Sequence, residues 1–463
     1  MGDGLVAACR HGRNVNRSWR ASVSLLSLCA FHCLVPTESS RAQADPARTT
    51  QPTNAEPSIT PPLPPIMVRA PAQQKQRPKA APRRAPARAP AAPPPPASPV
   101  ISEDVTVAAP AYQSDPVKSA SEQTRTSTRI NAQPAARPGE VLETVPGLIV
   151  TQHSGEGKAN QYFLRGFNLD HGTDLAITVD GMPVNMPTHG HGQGYADVNF
   201  LIPELIASMR IRKGPYFADE GDFSAAGAVH IDYLDKMDPG LVQATAGMFG
   251  YGRALTIKSL PLWAGNLLFA GEAIVYDGPW DVPDRARKVN GILRYSQGTA
   301  DDGFSITGMA YENHWTSTDQ VPERAVSEGL IDRLGSLDPT DGGLASRYSL
   351  SARLSHTSDY GVTRLDAYAI RSTLTLFNNF TYFLNDPVNG DQFSQLDQRT
   401  VTGFHGNHTF KGRLGPFDSE TRIGVQSRYD DIDVGLLKTF ERAPLSTVRL
   451  DNVQEGSVGV YAQ

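Results

Sequence analysis

A chain of 463 residues is long enough for more than one domain, and 43 basic against 48 acidic residues give a formal net charge of −5. That mild acidity offers nothing to a nucleic-acid partner. No stretch approaches the ~20 apolar residues that a membrane helix needs, although membrane barrel strands would escape such a search because they hide their apolar residues by alternation.

The N-terminus has the three parts of an export signal. Arg10, Arg13, Arg17 and Arg20 form a positive region, Ala21 to Val35 is a short apolar run, and Ala42-Gln43-Ala44 offers a small-x-small cleavage site. Residues 1–44 are therefore expected to be removed. All three cysteines, Cys9, Cys29 and Cys33, fall inside this segment. A mature chain without cysteine excludes disulfides, thiolate metal sites and cysteine nucleophiles.

Residues 45–115 are dense in Pro, Ala and Arg. Such a composition cannot bury enough apolar surface to offset the entropy of ordering, and repeated proline holds the chain extended as a spacer. One patch differs: Pro65, Ile66, Met67, Val68, Arg69 and Ala70 form a short β-prone segment flanked by prolines. An extended segment of this kind can add as a strand to a partner's sheet edge. Asp104 to Ala108 is a second segment of the same kind.

Residues 116–236 turn globular, and a small mixed α/β unit is expected there. Glu140 to Val145 reads as a short helix stopped by Pro146-Gly147. Leu148–Val150, Phe163–Arg165, Leu175–Val179, Ile206–Arg212 and Ala228–Ile231 read as strands, with a turn at Asp180-Gly181. From residue 237 to 463 the period becomes two. Tyr348, Leu350, Ala352 and Leu354 alternate with Arg347, Ser349, Ser351 and Arg353; Phe304 and Ile306, Leu293 and Tyr295, and Ile423 and Val425 behave alike. Strict alternation fits a sandwich with one wet face or an antiparallel transmembrane β-barrel with a wet lumen. The barrel is favoured because Tyr311, Trp315 and Tyr429 sit near strand ends, where an interfacial girdle would be. A long connection, about Ser317 to Gly343, also contrasts with shorter turns elsewhere.

The motifs of residues 137–233 strongly resemble the plug of TonB-dependent outer-membrane receptors. The residues that carry this are Val141-Leu142 to Leu148, Phe163-Leu164-Arg165-Gly166-Phe167, Val179-Asp180-Gly181-Met182-Pro183, Arg210-Ile211-Arg212-Lys213-Gly214 and Gly227 to Ile231. Each is weak alone; their order and spacing make the match specific. The resemblance implies a plug followed by a barrel, and it makes Pro65 to Ala70 the TonB box. In similar proteins plug arginines pair with acidic residues of the barrel wall, so Arg165 and Arg212 are expected to lock plug to barrel. Two loops are expected at the extracellular apex. One carries Gln152, His153, Glu156 and Lys158; the other carries His189, His191 and Gln193. His189 and His191 point to one side if the loop is extended, and with His153 they could form an imidazole cluster for Zn, Cu, Ni or a chelated iron. His171 is expected on the periplasmic side and is left out of that cluster.

The alternation runs to Gln463, with about half the strands of a family-sized barrel and no terminal aromatic residue. A fragment or a truncated gene product is therefore expected. The function implied is import of a scarce ligand across the bacterial outer membrane, energised by TonB and its inner-membrane complex. A ferric siderophore is the default ligand. Cobalamin, a Zn, Cu or Ni chelate, or a carbohydrate is the alternative, as is a non-functional remnant. A signal transducer fits less well, since a Pro-rich spacer stands where signalling members carry a folded domain. No HExxH, nucleophile elbow or phosphate loop is present, so neither catalysis nor a cofactor is expected.

Overall fold

The computed structural model describes residues 121–152, 156–317 and 320–463. The export signal, the spacer, both strand-addition segments and His153 lie outside the described residues.

The first unit begins with β1 (Glu122–Thr126) and a single helical turn, α1 (Ser127–Asn131). The helix expected at Glu140 is a 3-10 turn, Pro138–Thr144. Seven residues are too few for a stable α-helix, and Val145 is pushed into extended backbone by the proline after it. A small sheet follows: β2 (Leu148–Thr151), β3 (Gln161–Leu164) and β4 (Phe167–Asn168). Arg165, expected to end a strand, has φ 53° and turns the chain between β3 and β4 together with Gly166.

The larger sheet contains β5 (Leu175–Val179), β6 (Met182–Pro183), β7 (Ile206–Lys213) and β8 (Gly227–Tyr233), in the order β1-β7-β8-β5-β6. Among the described residues only the β5–β8 pair is parallel. Asp180 and Gly181, with φ 48° and 78°, form the tight β5–β6 turn; this twist suits a two-residue hairpin, and glycine reaches it without strain. The core between these layers includes Leu142, Tyr162, Ile177, Leu205, Ile206 and Met209, each 0–1% exposed.

The second unit is one ten-stranded antiparallel sheet in sequence order: β9 (Leu241–Ala246), β10 (Gly252–Leu262), β11 (Gly265–Tyr276), β12 (Ala286–Gly298), β13 (Gly303–Thr316), β14 (Gly342–Ser358), β15 (Gly361–Asn378), β16 (Phe393–Leu414), β17 (Phe417–Phe440) and β18 (Ala443–Ala462). Among the described residues β9 and β18 are its two edges. The alternation is that of a membrane barrel wall. Leu293, Leu350, Leu354 and Ile423 are 48–58% exposed on the outside, while Arg294, Ser349 and Ser351 are buried on the inside. A soluble sandwich would have its apolar residues inside.

The outer face changes character along the strands. The pairing places Gly308, Leu350, Ala369, Thr402 and Tyr429 in one row, and Ala310, Tyr348, Arg371, Thr400 and Asp431 in the next. The third row, Glu312, Ser346, Thr373, Gln398 and Asp433, is wholly polar. Tyr348 and Tyr429 stand at this border, 41% and 45% exposed. Tyr311 and Trp315 do not belong to the girdle expected for them. Both face inward, 3% exposed, because they share the strand face of the lumen residues.

At one end the strands are joined by the short connections 263–264, 299–302, 359–360 and 415–416; at the other, 247–251, 277–285, 317–341 and 379–392 are longer and 441–442 is short. The connection 317–341 carries one helical turn, α2 (Glu323–Ser327). The first unit sits against the concave face of the sheet.

Ile177→Ala should cost about 2–5 kcal/mol of plug stability, as expected for emptying a fully buried aliphatic position. Urea unfolding followed by protease accessibility of β7 and β8 checks this; a shift under ~1 kcal/mol would mean that this position can collapse and refill.

Candidate functional site

Wall arginines meet the first unit at two levels. Toward the long-connection end they donate to backbone carbonyls. The Arg399 guanidinium, 0% exposed, donates to Pro187 O at 2.7 Å and Thr188 O at 3.3 Å, while a bidentate contact with Asp397 orients it. Arg428 donates to Asn185 O at 2.8 Å and is held by Asp430. Arg347 donates to Pro183 O at 3.1 Å.

The other level is ionic. Arg294 meets Asp180 at 2.8 Å and Asp235 at 2.6 Å. Arg353 meets Asp232 at 2.7 Å and Asp180 at 3.4 Å. Arg422 meets Asp219 at 3.3 Å. One ionic contact lies at the long-connection end, where Arg253 of β10 meets Glu204 at 2.6 Å. The Asp180 side chain is 0% exposed. Burial pushes its carboxyl above the ordinary range, while Arg294 and Arg353 pull it back. Such a pair adds little net stability but is expensive to break on one side.

This polarity is the reverse of the one expected for Arg165 and Arg212. Arg165 is exposed at the β3–β4 turn. Arg212 is buried, but its partners belong to its own unit: Glu122 at 3.1 Å, and Asp219 and Glu220 at 2.6 Å each. A guanidinium on β7 finds these carboxylates in the adjoining β1 and in the loop after β7, so it has no need of the wall. Only Asp219 passes the contact on, to Arg422. Burial alone would raise the Glu220 carboxyl; His230, at 2.7 Å, and Arg212 together outweigh it and hold the group at about 2.

Between this cluster and β14 to β18 lies a cavity of about 420 Å³, lined by Asp219, Glu220, His230, Arg353, His405 and Arg422 among others.

The loops of residues 152–160 and 185–197 touch the wall near its long connections, at Trp315, Asn313 and Arg399. Gly157 packs on the Trp315 ring so closely that a Cβ there would clash with it. Glu156 pairs with Arg137 at 3.2 Å, and its carbonyl accepts from Asn313 at 3.3 Å. Lys158 is 2% exposed, and Gln152 accepts from Asn160 at 3.0 Å. The second loop is anchored by Asn185, whose amide donates to Gly172 O and Leu175 O and accepts from Ile177 N. Thr188 hydrogen-bonds Glu455 of the wall. Gln193 is exposed, and its side chain accepts from Thr188 N at 2.8 Å.

His189 and His191 do not point together as an extended loop would have them. Thr188 has φ 46°, and the loop folds over Tyr195. His189 stacks on the Tyr195 ring, with centroids 4.0 Å apart, and its Nδ1 accepts from His191 N. His191 turns toward His171, with the two Nε2 atoms 3.2 Å apart. His171 is thus at the apex and not on the far side, because Ala196 N donates to its carbonyl and brings its turn against the loop. Among the described residues no three His, Cys, Asp or Glu side chains converge as a metal-binding group.

Residues 117–228 match the model of the TonB-dependent receptor plug domain. That stretch is the TonB-dependent receptor plug, and the match supports a receptor of that type. Over 92 residues it is 29% identical to the vitamin B12 transporter BtuB of Vibrio vulnificus (strain YJ016), covering 20% of this chain and 14% of that one. The fold is similar to the copper transporter OprC (TM-score 0.55, 16% identity, 74% of this chain and 52% of that one). It is also similar to the unliganded ferric citrate transporter FecA (TM-score 0.57, 13% identity, 73% and 52%). The chain thus spans about half the length of these solved receptors.

Two outcomes are expected. Asp180→Asn should lower the resistance of the plug to urea-induced release by about 3–5 kcal/mol, since Arg294 and Arg353 lose the charge they share; an unchanged midpoint would mean that Asp232 and Asp235 suffice. The Glu220 carboxylate has a depressed folded pKa, so its stabilisation is complete above about 4.5 and fades as the pH falls toward about 2. Glu220→Gln should flatten that part of the acid-unfolding curve, and an identical curve would show that the cluster is not linked to folding.

Proposed function

We propose that this chain forms the plug and the plug-facing wall of an importer that carries a scarce, metal-containing ligand, by default a ferric siderophore, across the bacterial outer membrane. Residues 1–44 direct export. Pro65 to Ala70 recruit TonB, which passes on the pull of its inner-membrane complex. The ligand rests on the apex loops, among Gln152, Glu156, His191 and Gln193, while Lys158 is buried beneath them, and no covalent step is required.

The observation that carries this reading is the asymmetric seam. Wall arginines grip the apex loop of the plug by neutral carbonyls and the remainder by charged pairs. A plug held in this way is seated firmly yet can be shifted without unfolding the wall. The similar transporters support a metal-containing cargo: copper, ferric citrate and vitamin B12 each contain a transition metal. Arg212 retains a smaller part, through Asp219 to Arg422.

Ile66→Pro and Val68→Pro should abolish uptake of the ligand by cells while leaving surface binding intact, because proline removes a backbone donor from the added strand. Uptake at the original rate would move the TonB segment elsewhere, with Asp104 to Ala108 next in line.

A further inference from the structure

Asp284 stands in surroundings that do not suit a charge. It lies in the connection 277–285 between β11 and β12 and is 2% exposed. Its Oδ2 accepts from the Trp280 indole nitrogen at 3.1 Å, while its Oδ1 is buried with no hydrogen-bond partner. The chain wraps closely around the carboxyl. Gly278 has φ 71°, and a Cβ there would fall 3.0 Å from Oδ2 and nearer still to the Trp280 ring. Asp284 N donates to Asp277 O at 2.8 Å, and Asp284 O accepts from Thr316 N at 2.7 Å. The group is thus fixed against the end of β13, where Trp315 packs on Gly157 of the plug.

The charges around Asp284 do not balance it. The strongest of those that act on it is the Glu156 carboxylate of the plug loop, which repels, as does Asp277. Arg137 attracts, but it is paired with Glu156 at 3.2 Å. Lys288 is committed to Glu272 at 3.2 Å, and Lys158 acts on His171 and His191. Asp341, whose carbonyl accepts from Ser317 N beside Thr316, turns its carboxylate to Gln392 at 3.1 Å. Tyr276 is within the field of Asp284 but brings no charge. A buried carboxyl that meets no cation takes up hydrogen. Burial, and then Glu156, push this one up to about 7. Among the described residues no three His, Cys, Asp or Glu side chains converge as a metal-binding group, so the proton is what neutralises it.

A second carboxyl of the same connection behaves alike. Asp281 N donates to Leu334 O at 3.1 Å, which ties it to the connection 317–341, and its side chain hydrogen-bonds that of Asp332. Two carboxyls make such a bond only while they share a proton, and the Asp332 charge pushes the Asp281 carboxyl up. The connection is therefore held on two sides by groups that need hydrogen.

We propose that the connection 277–285 is a proton-operated latch, closed beside the plug loop at Glu156 while Asp284 is neutral and Asp281 shares a proton with Asp332, and released when they ionise. The closed form binds the proton of Asp284 more tightly than the open form, in which the carboxyl returns to its ordinary 3.8. Closure is therefore favoured most below about 4, weakens by up to about tenfold per pH unit toward about 7, and changes no further above it. An acidic medium thus holds one flank of the plug loop shut and a neutral one frees it; that purpose, though not the latch itself, rests on the import reading.

The test is hydrogen exchange of the 277–285 amides in the full chain folded in detergent, corrected for intrinsic rates and followed from about pH 4.5 to about pH 7.5. Their protection is expected to fall at least about tenfold over that range, while the amides of β13 and β14 keep theirs. Asp284→Asn, which cannot ionise, is expected to remove most of the fall, and Glu156→Gln, which removes the repelling charge, to lessen it. Protection of β13 and β14 reports whether each variant folds; if Asp284→Asn does not, Glu156→Gln decides alone. Flat protection in the unaltered chain would overturn the proposal. So would an undiminished fall in the folded variants, or an equal fall in β13 and β14, which would be unfolding of the wall. Failure here leaves the import reading standing, since that is tested by uptake in the Ile66 and Val68 variants. Conversely, unaltered uptake in those variants would leave the latch untouched if its pH profile holds.

Discussion

A guanidinium on the inner face of a barrel wall has no bulk water to rely on, so the plug has to supply its acceptors. Arg294, Arg353, Arg399 and Arg428 all project inward, and each meets an oxygen of the plug. The positions of the plug strands follow from this requirement. The β5–β6 hairpin carries Asp180 at its tip, where one carboxylate reaches two wall arginines at once. Asp232 and Asp235 follow at the end of β8 and serve the same two arginines.

The seam is not uniform. Carbonyl acceptors can be exchanged for others at small cost, whereas a buried charge stripped of its partner is expensive. The apex loop is held in the first way and the hairpin tip in the second. The contacts of Asp180, Asp232 and Asp219 are therefore the costly ones to break, and the carbonyl contacts of the loop the cheaper ones.

Much of the fold was legible in the sequence because its signals are local. The alternation of Tyr348 to Leu354 with Arg347 to Arg353 gave the wall and its inside face, and Asp180-Gly181 gave the hairpin. The short helix failed since Pro138 and Pro146 leave room for only a 3-10 turn. Tyr311 and Trp315 were misplaced because closeness to a strand end does not say which face a residue is on; counting parity from Phe304 would have put them inside. The seam was expected with its charges reversed. The signal was present in Arg294, Arg353 and Arg422 at lumen positions, but which plug carboxylate each would meet depends on contacts across more than a hundred residues. The place of His171 was hidden for the same reason: its neighbour His191 is twenty residues away, and only the fold of the loop over Tyr195 joins them.

The outer face carries its own depth gauge. On β14 the outer face passes in two steps from Leu350 to Ser346, and on β13, β15 and β17 it reaches Glu312, Thr373 and Asp433 in the same row, with Tyr348 and Tyr429 at the crossing. So abrupt an edge leaves little freedom in how far the sheet can rise or sink. Lipid of another thickness would have to stretch or compress around the wall, since raising it would bring Leu293 and Leu350 into water and lowering it would draw Glu312 and Asp433 into hydrocarbon.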